Sequence, residues 1–212
     1  MLKQLMYIKR ILTLRPKRYR NLLRTVYEGR CRRILEVGTY DGKHATQMIE
    51  TANIFFPRQE IEYYGFDLFD ALTDDELIKE ASKMPPAYEV VKQKLEKSGA
   101  KIRLYMGYSH DTLPGFIKEN RQIDLIFIDG GHSIETISSD WNNVKKIMRK
   151  NTIVIFDDYY NNQELEVKGI GCQTIIEDLD RNTYQVEMLK PQDCFEKEWG
   201  TLRVNMVKVR LK

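Results

Sequence analysis

The run Ile34-Leu35-Glu36-Val37-Gly38-Thr39-Tyr40-Asp41-Gly42 decides the fold. Ile34 to Val37 has strand composition, two glycines break it, and residues 44–52 beyond have helical composition. Outward from this unit, branched-residue runs recur at Glu62-Tyr63-Tyr64-Gly65-Phe66, Lys101-Ile102-Arg103-Leu104-Tyr105, Asp124-Leu125-Ile126-Phe127-Ile128 and Thr152-Ile153-Val154-Ile155-Phe156. Segments of helical composition, including 74–97 and 134–148, lie between them. Strands alternating with helices predict right-handed crossovers and a doubly wound, mainly parallel α/β sheet with helices on both faces. Two later strand candidates, 184–189 and 203–211, have no clear helix between them and predict a hairpin with an antiparallel member. The sheet is therefore expected to have seven strands, one of them antiparallel.

The chain has 212 residues, a length suited to one well-packed domain. Its net charge of +3 conceals an asymmetry. Residues 1–33 hold eleven of the 34 Lys and Arg and one of the 31 acids, a local charge of +10; the other 179 residues keep 23 bases and 30 acids, or −7. The reading is a basic helical leader over 1–33 and an acidic domain over 34–212. In the leader Leu2, Leu5, Met6, Ile8, Leu12 and Leu14 recur at near-helical spacing up to Pro16, and a second helical run covers 17–27. Lys3, Lys9, Arg10 and Arg15 interrupt any apolar core a secretory signal would need. No apolar stretch approaches the roughly 20 residues of a membrane span. Cys31, Cys172 and Cys194 give neither metal spacing nor a disulfide framework, so a reduced, cytoplasmic protein is expected.

Ligands of such sheets bind beyond the carboxyl ends of the strands, at the topological switch point. Each of the five ends carries an acid, a glycine turn or both: Glu36 to Gly42, then Asp67, Gly107-Tyr108-Ser109-His110-Asp111, Asp129-Gly130-Gly131-His132 and Asp157-Asp158. Tyr40 stands where a dinucleotide fingerprint needs glycine, and no Gly-Lys-Ser/Thr follows, which excludes a P-loop. A nicotinamide dehydrogenase is disfavoured on the same ground. A glycine turn with a ribose-binding acid, Asp67, but no phosphate cradle points to a nucleoside without phosphates, and S-adenosylmethionine is the candidate. Read singly, each feature has a plainer meaning: Asp67 or Asp157-Asp158 as helix-capping residues, His132 as a structural histidine.

Together the motifs resemble the class I S-adenosylmethionine-dependent methyltransferases, of Rossmann-like fold. Glu36-Val37-Gly38-Thr39-Tyr40-Asp41-Gly42, Gly107-Tyr108-Ser109-x-Asp111 and the late acid pair look like the metal-dependent O-methyltransferases of the catechol and caffeoyl-CoA type. Phe127-Ile128-Asp129-Gly130-Gly131-His132 with Asp157-Asp158 is most similar to the sugar O-methyltransferases of macrolide and aminocoumarin biosynthesis. The resemblance covers about residues 34–160. It implies that Glu36, Gly38 and Gly42 form the turn around the methionine part of the cofactor, with His44 near its carboxylate. It further implies Tyr40 close to the sulfonium, Asp67 on the ribose, Ser109 at the adenine edge and Asp129 shared between cofactor and catalysis. His44 and His110 depart from the family pattern.

For catalysis, Asp129, Asp157 and Asp158 offer three carboxylates at adjacent strand ends, a donor set suited to Mg²⁺. Neighbouring strand residues face opposite ways, so Asp157 and Asp158 can serve one ion only if the backbone departs from the strand there. His132 matches the proposed base of the sugar enzymes, and an imidazole of ordinary pKa near 6.5 suits that role. The expected reaction is metal-assisted methyl transfer to a hydroxyl of a small molecule, such as a sugar or another vicinal hydroxyl acceptor. Segment 70–99, with the helix start Thr73-Asp74-Asp75-Glu76 and the stop Pro85-Pro86, is expected to form a helical lid. Tyr159-Tyr160-Asn161-Asn162 could line the acceptor pocket.

The leader has three readings: nucleic-acid binding, contact with an anionic membrane, or packing on the acidic domain or on a second subunit of a homo-oligomer. Packing is favoured. The competing function is an RNA-associated methyltransferase or nucleic-acid-binding protein, against which stands the lack of Asn/Asp-Pro-Pro-aromatic after the fourth strand.

Overall fold

β1 (Arg33–Val37) alternates its side chains between two cores: Ile34 points into one, Leu35 and Val37 into the other. Strands β4 (Leu125–Ile128) and β5 (Ile153–Tyr160) divide in the same way. Leu125, Phe127, Ile153 and Ile155 join the first core; Ile126, Ile128, Val154 and Phe156 join the second. Strands buried on both faces read as continuous apolar runs, which is why these were legible. The computed structural model describes residues 2–80, 83–160, 169–198 and 200–212.

The sheet is completed by β2 (Glu62–Asp67), β3 (Lys101–Met106), β6 (Tyr184–Met188), β7 (Asp193–Lys197) and β8 (Gly200–Leu211). Its order is β3-β2-β1-β4-β5-β8-β6, with β1 to β5 parallel and β8 antiparallel to both β5 and β6. The seven expected strands are all present. An eighth, β7, folds back on the first half of β8, pairing Lys197 with Gly200 and Asp193 with Val204. It was not visible in the sequence because four of its five residues are exposed and no apolar run marks it. Chain order reverses between β1 and β4, and this switch point places the site.

The first face is covered by α2 (Tyr19–Glu28), α3 (Lys43–Ala52) and α5 (Tyr88–Glu96). The second carries α6 (Ser109–Lys118), α7 (Ile134–Val144) and α8 (Gln173–Glu177). Residues 74–97, of helical composition with a stop expected at Pro85-Pro86, form α4 (Asp74–Lys79) and α5 with that stop between them. The Thr73/Glu76 capping box starts α4 as expected. α5 buries Val91 and Leu95 beneath Gly42, so it belongs to the core layer. No helix of the described residues is long and apolar enough to cross a membrane.

The leader divides into two unlike parts. α1 (Leu2–Thr13) buries no residue completely and leaves Leu2, Leu5, Ile8 and Leu12 exposed. α2 buries Leu22, Leu23 and Val26 fully in the first core. Packing therefore does not break at residue 33. Leu22→Ala should destabilise the fold by about 2–5 kcal/mol, the cost of a large-to-small change in a core. Leu5→Ala on α1 should stay within about 0.5 kcal/mol, as surface changes do. Urea unfolding of the two variants against the parent reads the difference.

A candidate active site at the switch point

The turn after β1 is built to bring two strand ends together. Gly38 has φ +93°, and a Cβ there would lie 1.9 Å from the Asp129 carbonyl oxygen, so only glycine lets β1 and β4 approach in this way. Tyr40 follows in the left-handed region at φ +48°, with its ring partly exposed. Its N–H donates to Asp67 Oδ2 at 2.7 Å, while Phe69 N–H donates to Oδ1 at 2.9 Å. Burial raises the Asp67 carboxyl above its ordinary value, and these two N–H groups oppose the shift. Each Asp67 oxygen keeps a further lone pair for a hydroxyl. Gly42, at φ +68°, caps α3 and sits on Val91 and Leu95 of α5.

Glu36 is fully buried at the bottom of this turn. Oε2 accepts the Tyr63 hydroxyl in a short hydrogen bond, and Oε1 has no partner. Burial pushes the carboxyl up to about 8, opposed by the Tyr63 bond. The buried Nδ1 of His44 is likewise unpartnered, and burial lowers this imidazole to about 4, so it is neutral near pH 7. Two orphaned polar atoms beside a glycine turn are what a cradle for a polar ligand leaves when empty of partners. Ser109 opens α6 as its first residue. It lies beside Asp140, whose carboxyl burial pushes up to about 7 against the opposing Ser109 hydroxyl. His110 is exposed and pairs with Asp111 at 3.6 Å.

The three carboxylates of the expected metal set do meet. One oxygen from each of Asp129, Asp157 and Asp158 lies within 4.8 Å of the others. The condition set by strand geometry is fulfilled: pairing of β5 with β8 shifts register between Phe156 and Tyr159, and Asp158 takes φ +55°. This irregularity turns both acids toward one centre.

The centre is occupied by a side chain of the leader. Arg18 Nε donates to Asp157 Oδ1 at 2.7 Å and Nη2 to Oδ2 at 2.9 Å, a two-pronged pair whose side chains are 11% and 1% exposed. Arg18 Nη2 is 3.9 Å from Asp158 Oδ1. Asp193, the first residue of β7, anchors the same turn: its carboxylate accepts the N–H groups of Lys17 at 2.7 Å and Arg18 at 2.8 Å. The Tyr19 hydroxyl donates to Asp129 Oδ2 at 3.3 Å, and its ring stacks on His44 at 3.9 Å. Burial alone would raise Asp157; the Arg18 charge and its hydrogen bonds hold it low. Asp129, half-buried beside Asp157 and Asp158, is held well above its ordinary value by desolvation and by their charges. Nothing in the sequence marks Arg18, Tyr19 or Asp193 as a site residue. The leader, placed there outside the motifs, enters their centre. The one available signal was the demand of three clustered acids for a cation.

His132 does not have the ordinary titration expected of it. Its Nε2 faces Asp158 Oδ2 at 3.1 Å and its Nδ1 bonds the Glu80 carbonyl. Burial would lower its pKa, but the Asp158 bond and charge outweigh that and raise it to about 9. The Glu80 carboxylate accepts from Ser133 N–H, Ser133 Oγ and Thr136 Oγ1 at 2.7, 2.8 and 2.8 Å, tying the end of α4 to the start of α7. Gly131 leaves the room for it, since a Cβ there would lie 2.6 Å from Glu80 Oε2. Tyr159 and Tyr160 are half-buried at the end of β5; Asn161 and Asn162 lie outside the described residues.

A family profile described as "Methyltransferase domain" matches residues 35–159. Among curated proteins, an uncharacterized protein of Acanthamoeba polyphaga mimivirus is 22% identical over 180 residues, 81% of this chain and 72% of that one. Among solved structures, the O-methyltransferase TomG from Streptomyces achromogenes, involved in tomaymycin synthesis and solved with SAM, superposes with a TM-score of 0.63. It is 15% identical, over 95% of this chain and 82% of that chain. An O-methyltransferase from Bacillus cereus solved with SAH gives a TM-score of 0.60 at 14% identity, over 100% and 91%. At such identities the two structures establish the fold alone.

A raised carboxyl makes the folded state bind a proton that the unfolded state has released. Between the ordinary Glu value of 4.5 and about 8, Glu36 therefore lowers stability as pH rises, by at most about 1.4 kcal/mol per pH unit. Glu36→Gln should flatten that slope, so the variant gains on the parent as pH goes from about 5 to 8. Urea unfolding across this range would show parallel pH profiles if the Glu36 carboxyl were ordinary.

Proposed function

The chain belongs to the methyltransferase domain family, and from that membership we propose that it is an S-adenosylmethionine-dependent O-methyltransferase acting on a hydroxyl of a small molecule. The observation that carries the cofactor is the unpartnered, buried Oε1 of Glu36 under the Gly38 turn. Asp67 stands across that turn with lone pairs to spare. Bound there, S-adenosylmethionine supplies a sulfonium methyl open to attack by oxygen.

The chain's own groups divide the remaining work. Glu36 and the neutral His44 receive the methionine end, His44 as a donor toward a carboxylate. Asp67 takes the ribose hydroxyls. Ser109 takes the adenine edge, and Tyr40 covers the sulfonium. His132, once its proton has gone to solvent, accepts the acceptor hydroxyl's proton while the new O–C bond forms and the S–C bond breaks. The Asp158 carboxylate then stabilises the imidazolium that results. Oxygen as the methylated atom is supported by likeness to proteins named as O-methyltransferases, TomG among them. The segment from Thr73 to Glu80 forms the lid wall of the acceptor space, since Glu80 holds both His132 and Ser133. Asp129, Asp157 and Asp158 offer oxygens of the right chemistry to magnesium. With Arg18 on both oxygens of Asp157 they do not fit an ion, and no step is assigned to one. The nucleic-acid reading of the leader is not favoured, because Arg18 is buried and Arg10 pairs with Glu50.

Calorimetric titration should show S-adenosylhomocysteine binding to the parent. Asp67→Ala should weaken it about 10–100-fold, the loss of hydrogen bonds to a charged acceptor. His132→Gln should leave that affinity unchanged and lower kcat for a vicinal-diol acceptor by about 10²–10⁴. A parent protein that binds no S-adenosylhomocysteine would sink the proposal.

A further inference from the structure

We propose that Arg18 is the resident cation of the Asp129–Asp157–Asp158 cluster, standing in place of a divalent ion, and that the site therefore works without metal. The inference rests on the methyltransferase reading for its catalytic meaning, but its physical content is independent of it.

Geometry carries the argument. An octahedral ion needs free carboxylate oxygens, with waters and substrate filling the rest of its shell. Here Asp157 gives both oxygens to one guanidinium at 2.7 and 2.9 Å. Asp158 faces His132 at 3.1 Å, and Asp129 accepts the Tyr19 hydroxyl at 3.3 Å. Every carboxylate of the cluster is thus already engaged by a donor. The Arg18 guanidinium and the His132 imidazole already face the cluster from two sides. A divalent ion added to that set would bring two further positive charges into a buried space.

Nor is Arg18 a guest free to leave. Its own N–H is bound to Asp193, its guanidinium lies 4.6 Å from the centre of the Tyr19 ring, and the helix that begins after it buries Leu22, Leu23 and Val26 completely. Withdrawing the side chain alone would leave Asp157 buried without a counter-charge. Withdrawing the backbone would open the first core. Arg18 is accordingly a positioning residue: it keeps Asp157 ionised and holds the floor on which Asp158 and His132 sit. A guanidinium suits this because its planar fork matches a carboxylate with two parallel bonds, which a lysine cannot do.

Manganese, read by electron paramagnetic resonance, tests the proposal on the chelator-treated full chain. The parent should leave the free Mn²⁺ signal unchanged, and its S-adenosylhomocysteine affinity should be the same with EDTA as with Mg²⁺. Arg18→Ala, checked for fold by circular dichroism, should acquire one Mn²⁺ per chain, and the second change Asp157→Asn should abolish it. Arg18→Lys, which keeps a charge, should not acquire the ion. Stoichiometric Mn²⁺ binding by the parent, lost in Asp157→Asn, overturns the proposal; so does a folded Arg18→Ala that gains no site. Should Arg18→Ala not fold, the parent and Arg18→Lys measurements decide alone. Failure of S-adenosylhomocysteine to bind under any condition would instead count against the function proposed above.

Discussion

Three carboxylates drawn together, two of them buried, cannot all stay charged without positive partners, and the structure depends on how this is answered. Burying an unpaired charge costs several kcal/mol even after relaxation, and removing one partner of a buried pair costs about 3–5 kcal/mol. The Arg18–Asp157 pair meets that demand between residues 139 positions apart in the chain. Because Asp193 grips the same turn from the far side, the pair joins the start of the chain, the end of β5 and the hairpin of β7 and β8. The strand that looked like an addition to the sheet thus has a place in the site.

A second constraint makes the first possible. Asp157 and Asp158 would point to opposite faces of a regular strand, and only one could reach Asp129. The register shift in β5 and the left-handed Asp158 bring both to one side. A non-glycine residue in that region is held by what surrounds it. Here the partners are His132 on the side chain and Cys172, whose N–H donates to the Asp158 carbonyl. The β4 end, the β5 end and the start of α8 consequently fix one another.

What the sequence disclosed follows from the reach of each signal. Strands β1, β4 and β5 announced themselves because both faces are buried, and Gly38, Asp67, Asp129 and Asp157-Asp158 because each closes a run of strand composition, although β5 continues past its acids to Tyr160. The requirement that the chain leave strand geometry at Asp157-Asp158 could be stated in advance from the period of two. Arg18 could not be placed, because nothing local distinguishes it from the other bases of the leader. Its importance is set by acids that lie far along the chain. β7 was hidden for the opposite reason: it is so exposed that its composition carries no pattern. The titration of His132 was misjudged because a residue type gives only an ordinary pKa, and Asp158 beside it sets the actual one.

Charge asymmetry between leader and domain can now be weighed by magnitude. Arg10 pairs with Glu50, Arg32 with Glu60 and Arg33 with Asp124, and Lys3 donates to the Asn53 carbonyl. The side chains of Arg10, Glu50, Arg32 and Glu60 are 26–53% exposed, and pairs of this kind contribute about 0–1 kcal/mol. They orient the leader along the acidic domain without deciding its stability. Arg18 differs in kind, because its pair is removed from water and Asp157 stays ionised through its charge. A leader carrying ten net positive charges thus delivers one of them into the cluster; the other ten bases remain outside it.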